Sequence, residues 1–96
     1  SIRFDSRQEE MKNKIYSAFI NAAYQPPKPD EILKAFGREE RAAKMVFDAL
    51  VDMDKLVKIN EEIYITDEAY IKAKELLIDF LKANGEITAA QFRDTI

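Results

Sequence analysis

The chain has neither histidine nor cysteine among its 96 residues, only two glycines, and no long apolar run. Without histidine and cysteine it lacks the side chains most used for proton transfer and thiol nucleophilicity near neutral pH. The missing cysteine also excludes disulfides and thiolate metal sites, so a packed core must hold the fold, and it fits a reducing compartment. Apart from Ser1 at the first position, the serines are Ser6 and Ser17, read as a helix cap and a helix-interior residue, and Gly37 and Gly85 stand apart, so no glycine-rich phosphate loop forms. No catalytic, cofactor-binding or metal-ligating residue is expected in this segment. The longest uncharged stretch, Ile15 to Pro27, contains Ser17, Asn21 and Gln25 and falls short of the roughly 20 apolar residues that span a bilayer. The reading is a soluble protein, with no membrane partner.

What is present is globular in composition: 47% hydrophobic and 34% charged residues. That balance argues against disorder, and the length suits one core with an appendage. Ser6 and Glu9 have capping-box spacing, and Met11, Ile15, Phe19 and Ala22 recur at helical intervals, which predicts a first helix from Arg7 to Ala23. Gln25-Pro26-Pro27-Lys28-Pro29 ends it, because proline removes a backbone donor and disfavours helix in the residue before it. Asp30 is the expected cap of a short second helix that turns Ile32, Leu33 and Phe36 inward and stops at Gly37. A longer helix then begins near Arg38, with Ala43, Val46, Leu50 and Met53 on one stripe and Phe47 beside it.

Leu56 to Ile59 and Ile63 to Ile65 read as two short strands joined by the turn Asn60-Glu61-Glu62. Thr66 caps a further helix with Asp67 and Glu68 in its first turn and Ile65 and Tyr70 at staple spacing. That helix is expected to turn Tyr70, Ala73, Leu77, Phe80 and Leu81 inward and to end at Asn84-Gly85. Three helices followed by a hairpin is the order of a winged helix, so the fold class is mainly α with a small antiparallel β-hairpin. Residues 1–66 are read as a complete winged-helix domain.

Residues 67–96 begin the pattern again. With Ile15 set on Leu76, the residues Tyr16, Phe19 and Ile20 fall on Leu77, Phe80 and Leu81. Thr88 and Gln91 form another candidate capping box, flanked by Ile87 and Phe92 at staple positions. Only eight residues follow Thr88, and an isolated helix shorter than about 12 to 15 residues is marginal in water. The expectation is therefore the N-terminal part of a second, incomplete winged helix.

Particular residues then resemble a known family. Ala23-Tyr24-Gln25-Pro26-Pro27, the run from Lys55 to Tyr64, and Gly85-Glu86-Ile87-Thr88 with Phe92-Arg93-Asp94 resemble the C-terminal region of bacterial selenocysteine-specific translation elongation factors, the SelB family. The resemblance implies a cytoplasmic parent protein with an N-terminal GTPase that binds GTP and carries selenocysteyl-tRNA to the ribosome. It also implies a row of four winged helices, the last of which recognises the selenocysteine-insertion hairpin of messenger RNA. Residues 1–66 would be the third winged helix and residues 67–96 the start of the fourth. The GTPase motifs are absent from this chain, so no nucleotide-binding residue carries over, and the fragment is expected to be non-catalytic and monomeric.

Charge bears on whether the complete unit itself meets RNA, because phosphate neutralisation dominates nucleic-acid affinity. Between Arg38 and Lys58 five positive residues face five negative ones, and the whole chain is net −3. Arg38, Arg41 and Lys44 nevertheless recur at three-residue steps and can share one helix face, with Lys58 of the hairpin near them. These four are the candidate nucleic-acid contacts. The competing reading is a solvated face with local pairs such as Glu40 to Lys44. Tyr24, Tyr64 and Tyr70 are candidates either for base stacking or for rings packed at element junctions. Two other employments of a winged helix stay open: a DNA-binding transcriptional regulator, and a protein-interaction module with an apolar patch.

Overall fold

The computed structural model describes residues 3–22, 24–85 and 89–95. Helix α1 (Ser6–Ala22) is followed by α2 (Pro29–Lys34), a 3-10 turn (Gly37–Glu39) and α3 (Glu40–Asp52). Strands β1 (Leu56–Lys58) and β2 (Tyr64–Thr66) come next, then α4 (Asp67–Asn84) and α5 (Ala89–Thr95). The three-helix and hairpin order is that of a winged-helix-like domain, mainly helical with one two-stranded antiparallel sheet.

Local chemistry accounts for most boundaries, with shifts that have physical reasons. The box that opens α1 lies one residue earlier than Ser6 and Glu9: the Asp5 carboxylate accepts from the Gln8 N–H at 2.8 Å, and the Gln8 amide oxygen accepts from the Asp5 N–H at 2.9 Å. A carboxylate at the cap also suits the positive end of the helix dipole. Ala23, the expected last residue of α1, lies outside the described residues. Asp30 does not cap α2. Lys28 holds the cap position, extended and without a capping side chain, because Pro29 fills the first helical position, where a missing N–H costs nothing. Asp30 instead places its charge in the first turn. Gly37, at φ +61°, turns the chain into the 3-10 segment, so α3 starts at Glu40 and not at Arg38.

The core lies where α1 and α3 pack together and the hairpin closes one end. Met11, Ile15 and Phe19 of α1 meet Ala43, Val46, Phe47 and Leu50 of α3, with Leu33 of α2 and Leu56 of β1 completing the buried set. Phe19 and Phe47 sit with ring centroids 6.2 Å apart, and Tyr64 meets Phe47 edge-on at 4.9 Å. Met53, read as part of the inward stripe, is 38% exposed, because α3 has ended and Met53 is its C-terminal cap. The chain reverses there with Asp54 at φ 59°.

The hairpin pairs Leu56 with Thr66, Val57 with Ile65 and Lys58 with Tyr64. Its turn is organised by Asn60, whose side-chain oxygen accepts from the Glu62 and Ile63 N–H groups, both at 2.9 Å. This is the competition of an Asx side chain with backbone pairing that favours Asn in turns. Thr66 caps α4 as expected, accepting from the Ala69 N–H at 3.1 Å, and Gly85 ends the helix at φ +79°. The inward set expected on α4 is not buried: only Ala73 is, while Tyr70 and Leu81 are exposed and Leu77 and Phe80 are half-buried. The elements with substantial contact to α4 are the two strands and α5. Ile87 and Thr88, half of the expected staple and capping box before α5, lie outside the described residues.

Candidate nucleic-acid interface

Arg38 from the 3-10 turn and Arg41 and Lys44 from α3 line one shallow depression, together with Asp30 and Leu33 of α2 and Glu40. Arg41 and Lys44, three residues apart, share one side of α3, and the 3-10 turn that precedes it brings Arg38 beside them. Among the described residues, Arg38 and Arg41 have no ion-pair or hydrogen-bond partner for their guanidinium groups. Lys44 is engaged, but with Asp48 at 2.6 Å and not with Glu40, and its ammonium also stands 5.8 Å from the centre of the Phe47 ring. The surface therefore offers two free planar cations suited to phosphate oxygens, with Asp30 and Glu40 moderating the local field.

Lys58 does not join them. It lies on β1 and bonds Glu61 at 2.8 Å, a contact that holds its ammonium pKa above the ordinary lysine value. The aromatic candidates also separate. Tyr64 is half-buried against Phe47, so its ring belongs to the core. Tyr24 donates its hydroxyl to the Ala69 carbonyl at 3.1 Å. Tyr70 is the exposed ring, with Lys74 5.3 Å from its centre. It borders an apolar groove between wing and α4, lined also by Ile59, Ile63, Ile65 and Leu77.

A connected polar cluster lies at the junction of the hairpin and α4, and no local pattern in the sequence marks it. The Tyr16 hydroxyl donates to Asp67 Oδ1 at 2.6 Å, the Glu68 N–H donates to the same oxygen at 2.9 Å, and Lys55 Nζ lies 3.7 Å from Asp67 Oδ2. Burial raises the Tyr16 pKa, and its bond to Asp67 and the nearby acidic charge raise it further. Burial pushes Asp67 upward, but the Tyr16 and Glu68 donors and the Lys55 charge prevail, so its pKa is lowered. A second long-range pair joins the start of α1 to the start of α3: Arg7 donates from Nε to Glu39 at 3.0 Å and from a second nitrogen to the other carboxylate oxygen. The Glu39 pKa is lowered chiefly by that hydrogen bonding.

No protein-family model and no curated protein sequence matches the chain. Among the described residues, no helix is long and apolar enough to cross a membrane.

Proposed function

We propose that the chain is a non-catalytic winged-helix segment of a selenocysteine-specific translation elongation factor, working in the cytoplasm to support recognition of the selenocysteine-insertion hairpin in messenger RNA. Residues 1–66 act as the platform, and residues 67–96 open the next winged helix of the row. GTP, selenocysteyl-tRNA and the ribosome are engaged by other parts of the parent factor. The motif resemblance supplies the family. The observation that carries the mechanical role is the continuity of β2 into α4: Thr66 is at once the last strand residue and the cap of an 18-residue helix, so no linker separates them. A helix of that length carries a position about 27 Å from the wing, and without a flexible joint the orientation of the next unit is constrained.

Direct phosphate contact by the platform falls to Arg38 and Arg41, with Lys44 available on breaking its pair with Asp48; Lys58 is held by Glu61. Gel-shift titrations of a synthetic insertion hairpin, an unrelated RNA and duplex DNA test the reading. Three neutralised phosphates give a log-log salt slope of about −2 to −3, and Arg41→Glu is expected to flatten it by about 1. Binding to duplex DNA in preference to both RNAs would replace this reading with a transcriptional regulator. A protein-interaction module is the reading that the groove of Ile59, Ile63, Tyr70 and Leu77 favours, and it predicts no salt-dependent binding to any of the three.

A further inference from the structure

A helix that projects from a small domain must be aimed by whatever it touches at its root. For α4 the root contacts include polar ones beside the apolar groove it shares with the hairpin. Ala73 is its one fully buried apolar residue, and the elements packed at its start are the two strands. Four interactions tie its first turn to other elements. The Tyr16 hydroxyl, from the middle of α1, reaches Asp67; the Tyr24 hydroxyl, just beyond the end of α1, reaches the Ala69 carbonyl; Lys55, beside β1, meets Asp67 through its ammonium; and the Asp67 N–H donates to the Lys55 carbonyl at 3.0 Å. The two hydroxyls approach from positions eight residues apart, one within α1 and one just past its end, and grip residues 67 and 69. Two separated anchors on a rod constrain its direction, where one would leave it free to swing.

We infer that Tyr16 and Tyr24 form a two-point brace that fixes the direction of α4 relative to the winged helix. The brace acts through hydroxyl groups while the rings stay packed: Tyr16 lies against the core cluster, and both hydroxyl bonds are part-buried, where water competes poorly for the donors. Both tyrosines are therefore positioning residues whose loss as phenylalanine leaves the apolar packing in place. The inference stands whatever the parent protein does with the aimed helix.

The chain has no cysteine of its own, so Ser17→Cys and Lys82→Cys, both at exposed positions on α1 and α4, give a unique spin-label pair for distance measurement by pulsed electron resonance. The parent background is expected to give one narrow distance peak. Adding Tyr16→Phe and Tyr24→Phe together is expected to abolish that single peak in favour of a broad distribution. Amide exchange at Asp67 and Ala69 should then accelerate about fivefold, the effect of losing one ordinary net hydrogen bond, while Leu50 in the core keeps its protection. An unchanged narrow peak in the double variant would overturn the brace. Equal acceleration at Leu50 would also overturn it, since the hydroxyls would then be holding the whole fold and not a joint.

Discussion

Phe19 and Phe80 hold equivalent places when α1 is superimposed in sequence on α4, yet the structure assigns them very different energies. Phe19 is 0% exposed and rests on Phe47, whereas Phe80 is half-buried on a helix with few partners. A phenylalanine buries on the order of 200 Å², which at about 25 cal/mol per Å² gives about 5 kcal/mol. That is an upper figure, because the unfolded chain already shields part of this area. Alanine keeps one methyl group, and the observed range for such truncations in cores is about 3–5 kcal/mol. Phe19→Ala is therefore expected to cost about 4 kcal/mol, and Phe80→Ala about 1 kcal/mol or less, the ordinary cost of a substitution outside the core. Urea unfolding followed by far-ultraviolet circular dichroism measures both. With a slope of about 2 kcal/mol per molar urea, the Phe19→Ala midpoint drops by about 2 M and that of Phe80→Ala by about 0.5 M. Costs for the two variants within about 1 kcal/mol of each other would refute the assignment of the core to the α1 and α3 contact.

The junction cluster gives a pH signature. The Asp67 pKa is lowered in the folded state, so its contribution is present above the unfolded value of about 4 and is lost as pH falls through the folded value. The Tyr16 pKa is raised, so its contribution is present below about 10 and is lost as pH rises through the folded value. The stability difference between the parent chain and Tyr16→Phe should accordingly be level from about pH 5 to 9 and shrink at both ends, as read by denaturant titrations across pH. A difference that grew above about pH 10 would contradict the hydroxyl's role as a donor. At Gly37, a Cβ would meet no atom within 4 Å, so Gly37→Ala isolates the cost of φ +61°. That cost is expected to be about 1–2 kcal/mol, with Gly37→Asn milder because asparagine tolerates this region. Equal stability of the alanine variant would show that the turn relaxes to negative φ.

Legibility tracks the range of the interaction. The stripe Met11, Ile15 and Phe19 and its counterpart Val46, Phe47 and Leu50 are readable because burial imposes a helical period on the sequence itself. Thr66, Gly37, Gly85 and the Asn60 turn are readable because each meets a need within a few residues of itself. Where two local solutions compete, the chain takes the neighbouring one: Asp5 with Gln8 instead of Ser6 with Glu9, and Pro29 instead of an Asp30 cap. Arg41 and Lys44 share one side of α3 through its helical repeat, and Arg38 joins them from the adjoining 3-10 turn, so the three group together in sequence and in space. Lys58 would need a distance across the fold, and its nearest acid, Glu61, claims it first.

Periodicity says which side of a helix is apolar but not whether anything lies against it, and α4 shows the consequence. Its Leu77, Phe80 and Leu81 repeat the frame of Tyr16, Phe19 and Ile20, which is why the sequence implies an inward face there. In α1 the approach of α3 buries Phe19 of that frame, with Tyr16 half-buried and Ile20 exposed; along α4 the approaching elements among the described residues are the two strands and α5, and Phe80 stays half-buried. Helix α4 is therefore positioned by hydrogen bonds spanning residue separations of 51 and 45, from Tyr16 to Asp67 and from Tyr24 to Ala69. A tyrosine, an aspartate and a lysine spread over such distances leave no periodic mark, because each pairing needs only one residue of each kind. The cluster that sets the direction of α4 is thus the part of this chain that sequence pattern alone has no means of announcing.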